Sequence, residues 1–171
     1  MSAVAIVNKL IFVYNLCLFG GCAGVGIFTA QFYGKGDYDG VQKSFRLKLY
    51  TNLCLLAAAL TVLITAGPTL IELFLHEGSE TGDLAKTFEY AKEYLSVILI
   101  GIIPQAATEA YSSTLRETEH TTLPMKAGIA AIVTNLSLNY VLIFGHFGAP
   151  ALGVRGAAIA TVIAKFVELS V

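Results

Sequence analysis

The sequence predicts an all-α fold, a polytopic membrane helix bundle, and three observations carry that expectation. Hydrophobic residues fill 56% of the 171 positions and charged residues only 13%, with a mean hydropathy of +0.70. That leaves too little polar surface to cover a soluble globule of this size. Charge-free runs from Leu10 to Gly34 and from Leu49 to Ile71 are each long enough for the roughly 30 Å hydrocarbon layer at about 1.5 Å per helical residue. Glycine, proline and charge cluster between the apolar runs, so five helices are expected, over about 4–33, 42–75, 84–116, 125–145 and 156–169.

The first run lacks the basic leader of a signal peptide and outlasts its apolar region, so it reads as a spanning helix. Gly20, Gly21, Gly24 and Gly26 are expected to form a small-residue face that lets a neighbouring backbone approach. Gln31 is the strong polar group near the end of this helix and reads either as an interfacial side chain or as part of a pathway. Gly34 to Gly40 is turn-forming, and Lys43, Arg46 and Lys48 form a basic flank leading into the second helix. Pro68 is expected to kink that helix near its far end. Residues 72–93 are acidic, carrying Glu72, Glu77, Glu80, Asp83, Glu89 and Glu93 against Lys86 and Lys92.

In the third helix Pro104 removes the hydrogen bond to the Ile100 carbonyl, and a bend is expected there. Glu109, five residues on, has to be protonated, paired, or near an interface, with Arg116 two turns away. The fourth helix is greasy enough for lipid yet carries Asn135 and Asn139, which lie one above the other on one face. An amide facing hydrocarbon leaves donors and acceptors unpaired at a cost of a few kcal/mol, so this face should turn toward other helices or water. Two readings fit: amides that join helices, and polar groups that line a substrate or ion path.

Several functions are excluded. No basic cluster marks a nucleic-acid surface. No G-x-x-x-x-G-K-[ST], H-E-x-x-H or G-x-S-x-G occurs, and His76, His120 and His146 lack an acid–base partner at useful spacing, so no enzyme is expected. Cys17, Cys22 and Cys54 sit in apolar runs and read as small buried hydrophobes, with no metal or other cofactor implied.

Three stretches carry a resemblance. Ala30-Gln31-Phe32-Tyr33-Gly34, the loop from Tyr111 to Met125, and above all the string from Asn135 and Asn139 through Gly145, Gly148, Pro150, Gly153 and Gly156 to Thr161 closely resemble the MATE (multidrug and toxic compound extrusion) transporters. The likeness runs the length of the chain, in the order of MATE helices two to six. It departs at Glu119, where the family usually has Gly, so the helix end there is left open.

The resemblance implies five transmembrane helices of a six-helix MATE lobe, a single partial lobe over residues 1–171. It implies an antiporter that exports small cationic, amphipathic compounds across the cytoplasmic membrane in exchange for Na⁺ or H⁺. Asn135 and Asn139 then match the cation-linked polar site, Thr161 a sixth-helix polar position, and Gln31 and Glu109 stand as pathway or gating residues. The family's first helix, with its carboxylate, and the second lobe are not in the sequence, so another chain or segment is expected to supply them. Two alternatives remain: a lipid-linked oligosaccharide flippase of the same superfamily, and a non-transporting fragment or assembly partner.

Lys35, Lys43, Arg46, Lys48, Arg116 and Lys126 flank one set of loops, against Lys86, Lys92 and Arg155 on the other. The positive-inside rule then places Gly34 to Lys48 and Arg116 to Lys126 in the cytoplasm. With the three native cysteines removed, a Thr121→Cys variant should resist a membrane-impermeant thiol reagent in intact cells and react after permeabilisation. Ready labelling from outside overturns the orientation.

Overall fold

A computed structural model describes residues 3–67, 69–71, 84–145 and 152–171. Pro68, the acidic residues from Glu72 to Asp83, His76, His146 and Pro150 lie outside the described residues. Five helices follow one another: α1 (Ala3–Gly34), α2 (Tyr38–Thr65), α3 (Leu84–Glu117), α4 (Thr122–Phe144) and α5 (Val154–Ser170). A further helical turn spans Thr69 to Ile71. The first four are long and apolar enough to cross a membrane, whereas α5 has 17 residues. This is a multi-pass integral membrane protein.

Helix α2 starts four residues earlier than the sequence predicts, because Asp37 caps it: its Oδ1 accepts from the Gly40 N–H at 2.9 Å. Its unbroken run ends at Thr65, where the Ala66 N–H still bonds the Val62 carbonyl at 2.8 Å, and the expected end near residue 75 lies outside the described residues. Helix α4 starts at Thr122, which puts Pro124 in the first turn, where a missing N–H leaves nothing unsatisfied. The α3 end that Glu119 left open is settled by the backbone. Glu119 takes a left-handed conformation with φ of 65°, and the His120 N–H bonds the Leu115 carbonyl at 2.8 Å. That is the glycine geometry of a Schellman stop, held here by a glutamate.

Helices α1, α2 and α3 pack together, α5 lies against α3 and α4, and α4 meets α3 only slightly. Ile6, Val7, Leu18, Leu56, Leu63, Ile98 and Ile102 build the apolar core between α1, α2 and α3. The outward faces of the spans are as apolar as the core: Phe12, Leu16, Ile27, Leu53, Val62 and Val133 are all more than half exposed, as suits a surface solvated by lipid chains. Two expectations fail on this geometry. Cys17 and Cys54 are exposed on those faces, and only Cys22 is buried. The four α1 glycines do not share a packing face either: positions 20 and 24 have open space where a Cβ would stand, while Gly21 meets Leu55 and Thr51, and Gly26 meets Glu117.

Polar rungs cross the α1–α2–α3 core. The Tyr14 hydroxyl donates to the Ile102 carbonyl at 3.2 Å, the Gln105 amide to Asn15, and Asn52 to the Ala106 carbonyl at 2.8 Å. The last rung corrects the basic flank assigned to Lys48. That lysine has no solvent exposure; it ion-pairs with Glu117 and donates to Ser113 Oγ at 2.9 Å and Thr114 Oγ1 at 3.3 Å. The Ser113 hydroxyl donates in turn to Glu117 at 2.8 Å. Because α2 begins at Tyr38, Lys48 lies nearly three turns inside it and faces inward with Ser44 and Asn52.

Deleting one member of such a pair strands the other charge, so Lys48→Ala should lower unfolding free energy in detergent by about 3–5 kcal/mol. The Lys48→Met, Glu117→Gln double variant should recover most of that loss in the same thermal melts.

Candidate functional site

The groove between α4 and α5 gathers three of the residues singled out in the sequence. Their meeting depends on how closely the two helices approach. Gly145 ends α4 in a left-handed conformation, φ 71°, and its N–H closes on the Val141 carbonyl at 3.0 Å. The chain returns so that the Leu152 N–H donates to the Leu142 carbonyl at 2.9 Å. A Cβ on Gly156 would stand only 2.7 Å from that same carbonyl oxygen, so the first turn of α5 requires glycine there. Ala158, Ala160 and Ala164 continue the buried face of α5, and Val162 packs onto Gly101 of α3. Small side chains bring Thr161 up to Asn135.

Within the groove the hydrogen bonds run in one direction. Asn139 Nδ2 donates to Asn135 Oδ1 at 2.9 Å, Asn135 Nδ2 to Thr161 Oγ1 at 3.4 Å, and the Thr161 hydroxyl to the Ala157 carbonyl at 2.9 Å. Every link spends a donor, and the chain begins at an amide whose own carbonyl is left over. Asn139 Oδ1 is buried and accepts no hydrogen bond from the described residues. A buried amide oxygen in that state suits a cation or a ligand N–H or O–H, since carbonyl oxygens bind hard cations without carrying charge. Asn135 and Thr161 line a cavity of about 420 Å³ that also takes in Ile132, Leu136, Lys165 and Glu168. Lys165 donates to Glu168 at 3.1 Å.

The other two sequence candidates lie elsewhere. Glu109 is paired with Arg116 at 3.0 Å along α3 and lines a cavity of about 400 Å³ against α1 with Glu117, Ser113 and Cys22. Gln31 is exposed at the end of α1 and lines neither cavity. The sequence reading missed Asn52, Ser113, Glu117 and Glu168. A signal for the first three was present: Ser44, Lys48 and Asn52 recur every fourth residue, as do Glu109, Ser113 and Glu117. Among the described residues no group of three or more His, Cys, Asp or Glu side chains could hold a metal ion.

Comparison with known proteins gives a consistent picture. The MatE family model matches residues 1–141, which includes both asparagines and stops before Thr161. A Thermotoga maritima protein named "Probable multidrug resistance protein NorM" is 32% identical over 171 residues, 98% of this chain and 34% of the relative. Proteins of the same name from Agrobacterium fabrum and Rhizobium meliloti are 26% and 31% identical, covering 95% and 94% of this chain. The chain spans about a third of the length of these curated relatives. No solved structure matches it.

The two asparagines should differ in their effect on stability. Asn139→Leu removes the unpaired buried oxygen together with the donor that Asn135 Oδ1 accepts from, two effects that oppose each other, and should change stability in thermal melts by less than about 1 kcal/mol. Asn135→Leu leaves the Asn139 amide without its acceptor and takes one donor from the Thr161 hydroxyl, which keeps its own bond to Ala157, and should cost about 1–3 kcal/mol. Equal losses in the two variants would indicate a purely structural role for both amides.

Proposed function

The chain belongs to the MatE family, and from that premise we propose that it forms part of the cation-linked lobe of a multidrug efflux antiporter of the cytoplasmic membrane. The observation that carries this reading is the unpaired, buried Oδ1 of Asn139 at the head of an oriented hydrogen-bond chain. Its coupling ion is Na⁺ or H⁺. Sodium would be held by amide oxygens directly, and a proton would act through a carboxylate presented to the same oxygens by a neighbouring helix. Its cargo is a small organic cation with apolar surface, for which the Ile132 and Leu136 side of the groove supplies contact.

The multidrug-resistance names of its relatives support the substrate class. A flippase for lipid-linked sugar phosphates calls for a cationic cavity, whereas Lys165, the cation lining this groove, is already paired with Glu168. Exchange across the membrane requires two bundles that rock about a midplane site. Transport therefore also draws on a second lobe and a further helix outside the 171 residues.

Binding tests the reading without requiring transport. The purified chain in detergent should bind ethidium, and either Na⁺ or acid should displace it. The Asn135→Ala, Asn139→Ala double variant should bind about tenfold more weakly, the scale of one or two lost polar contacts. Ethidium affinity unchanged in that double variant and indifferent to Na⁺ and pH overturns the proposal.

A further inference from the structure

The amides of the α4–α5 groove carry no charge, so they do not by themselves distinguish a cation from a neutral molecule of the same shape. A carboxylate does, and among the described residues lining this groove Glu168 is the one that has it. It stands seven residues beyond Thr161 on α5, about 10 Å of helix rise from the amide pair. Gly128 stands seven residues before Asn135 on the antiparallel α4 and lines the same groove. A Cβ there would meet nothing within 4 Å, so the groove wall is open at that level.

Glu168 also borders a second cavity, of about 200 Å³, with Tyr111 and Leu115 of α3 and Leu123 and Pro124 of α4. This carboxylate therefore stands where the amide groove meets an opening beside the α3–α4 turn. An aromatic ring and apolar side chains line that approach, a suitable surface for an amphipathic cation. Its present partner is Lys165, one helical turn away. Both side chains are partly exposed, at 23% for Glu168 and 31% for Lys165, and the lysine's flexible stem can carry its ammonium to water without moving the helix.

We propose that Glu168 is the residue that makes this groove select organic cations, with Lys165 as the exchangeable counterion that a ligand's positive charge replaces. The exchange balances: one cation arrives at the carboxylate, one ammonium leaves it for solvent, and the net charge of the groove is unchanged. The inference rests on the reading of this groove as a substrate site and adds to it the residue that sets the charge preference. It places the point of discrimination at the end of the groove beside the α3–α4 turn, about two helical turns from the amides.

The test is ethidium binding to the purified 171-residue chain in detergent, with Nile red as an uncharged dye for comparison. Glu168→Gln should weaken ethidium about tenfold, as expected for the loss of one charge-assisted contact, and leave Nile red unchanged. Lys165→Gln should tighten ethidium. The Lys165→Gln, Glu168→Gln double variant should bind like Glu168→Gln, since the lysine acts only through the carboxylate. Glu168→Asp keeps the charge and should keep most of the binding; a loss there as large as in the Gln variant marks a packing role and overturns the proposal. If the Asn135→Ala, Asn139→Ala variant loses ethidium but Glu168→Gln does not, the selectivity inference falls and the groove reading stands. If the unmodified chain binds no ethidium, both fall.

Discussion

A lysine ammonium cut off from solvent has to find its counter-charge within the protein, and much of this bundle is organised by that demand. Lys48 reaches across from α2 to α3, where Glu117, Ser113 and Thr114 receive it. The carboxylate that answers it needs room, which Gly26 of α1 provides by having no side chain. Three helices therefore meet at one ion pair, each contributing something the other two cannot. The rungs at Asn52, Gln105 and Tyr14 extend the same logic along the core. In a lipid-solvated bundle the apolar effect distinguishes inside from outside poorly, since both faces are greasy, and paired polar groups specify which faces turn inward.

The fold class was legible because it rests on quantities that survive without tertiary contacts: run length, hydropathy and the placement of glycine and charge. Helix ends were less so. Asp37 capping α2 is local chemistry and could be read from the sequence, but the left-handed Glu119 holds a glycine's conformation without being one. Lys48 was misread for a physical reason. A lysine a few residues from a turn is usually a solvated flank, and only its helical register with Ser44 and Asn52 shows that it points inward. The shared face of Asn135 and Asn139 is readable from their spacing, but the contact of Asn135 with Thr161 is not, because it depends on how closely Gly156 lets α5 approach. Glu168 gave no sequence signal, since a glutamate near a helix end has many ordinary uses.

Two polar systems result, and they differ in kind. The Lys48 cluster between α2 and α3 has its charges paired and its hydroxyls engaged, as a structural element must. The groove between α4 and α5 keeps a buried acceptor unused and a charge pair partly in water. Polar groups engaged with one another on one side, and an acceptor unmatched among the described residues on the other, separate what holds the bundle from what is available to a ligand. That contrast, more than the presence of polar residues in a membrane, is why the α4–α5 groove is the stronger functional candidate.

The way α4 is mounted has a mechanical consequence. It runs along α5, barely touches α3, is tied to α3 by the short turn between Glu117 and Thr122, and is fastened to α5 where Leu142 meets Leu152 and Gly156. From that fastening to Gly128 is fourteen residues, about 21 Å of helix. A tilt of about 5° at the joint, taken up in the α3–α4 turn, therefore swings the Gly128 end by about 2 Å, which is comparable to the radius of a methyl group. The helix is a lever whose fulcrum lies beyond the amides and whose tip borders Glu168, so small rotations that scarcely disturb Asn139 alter the width available at the carboxylate.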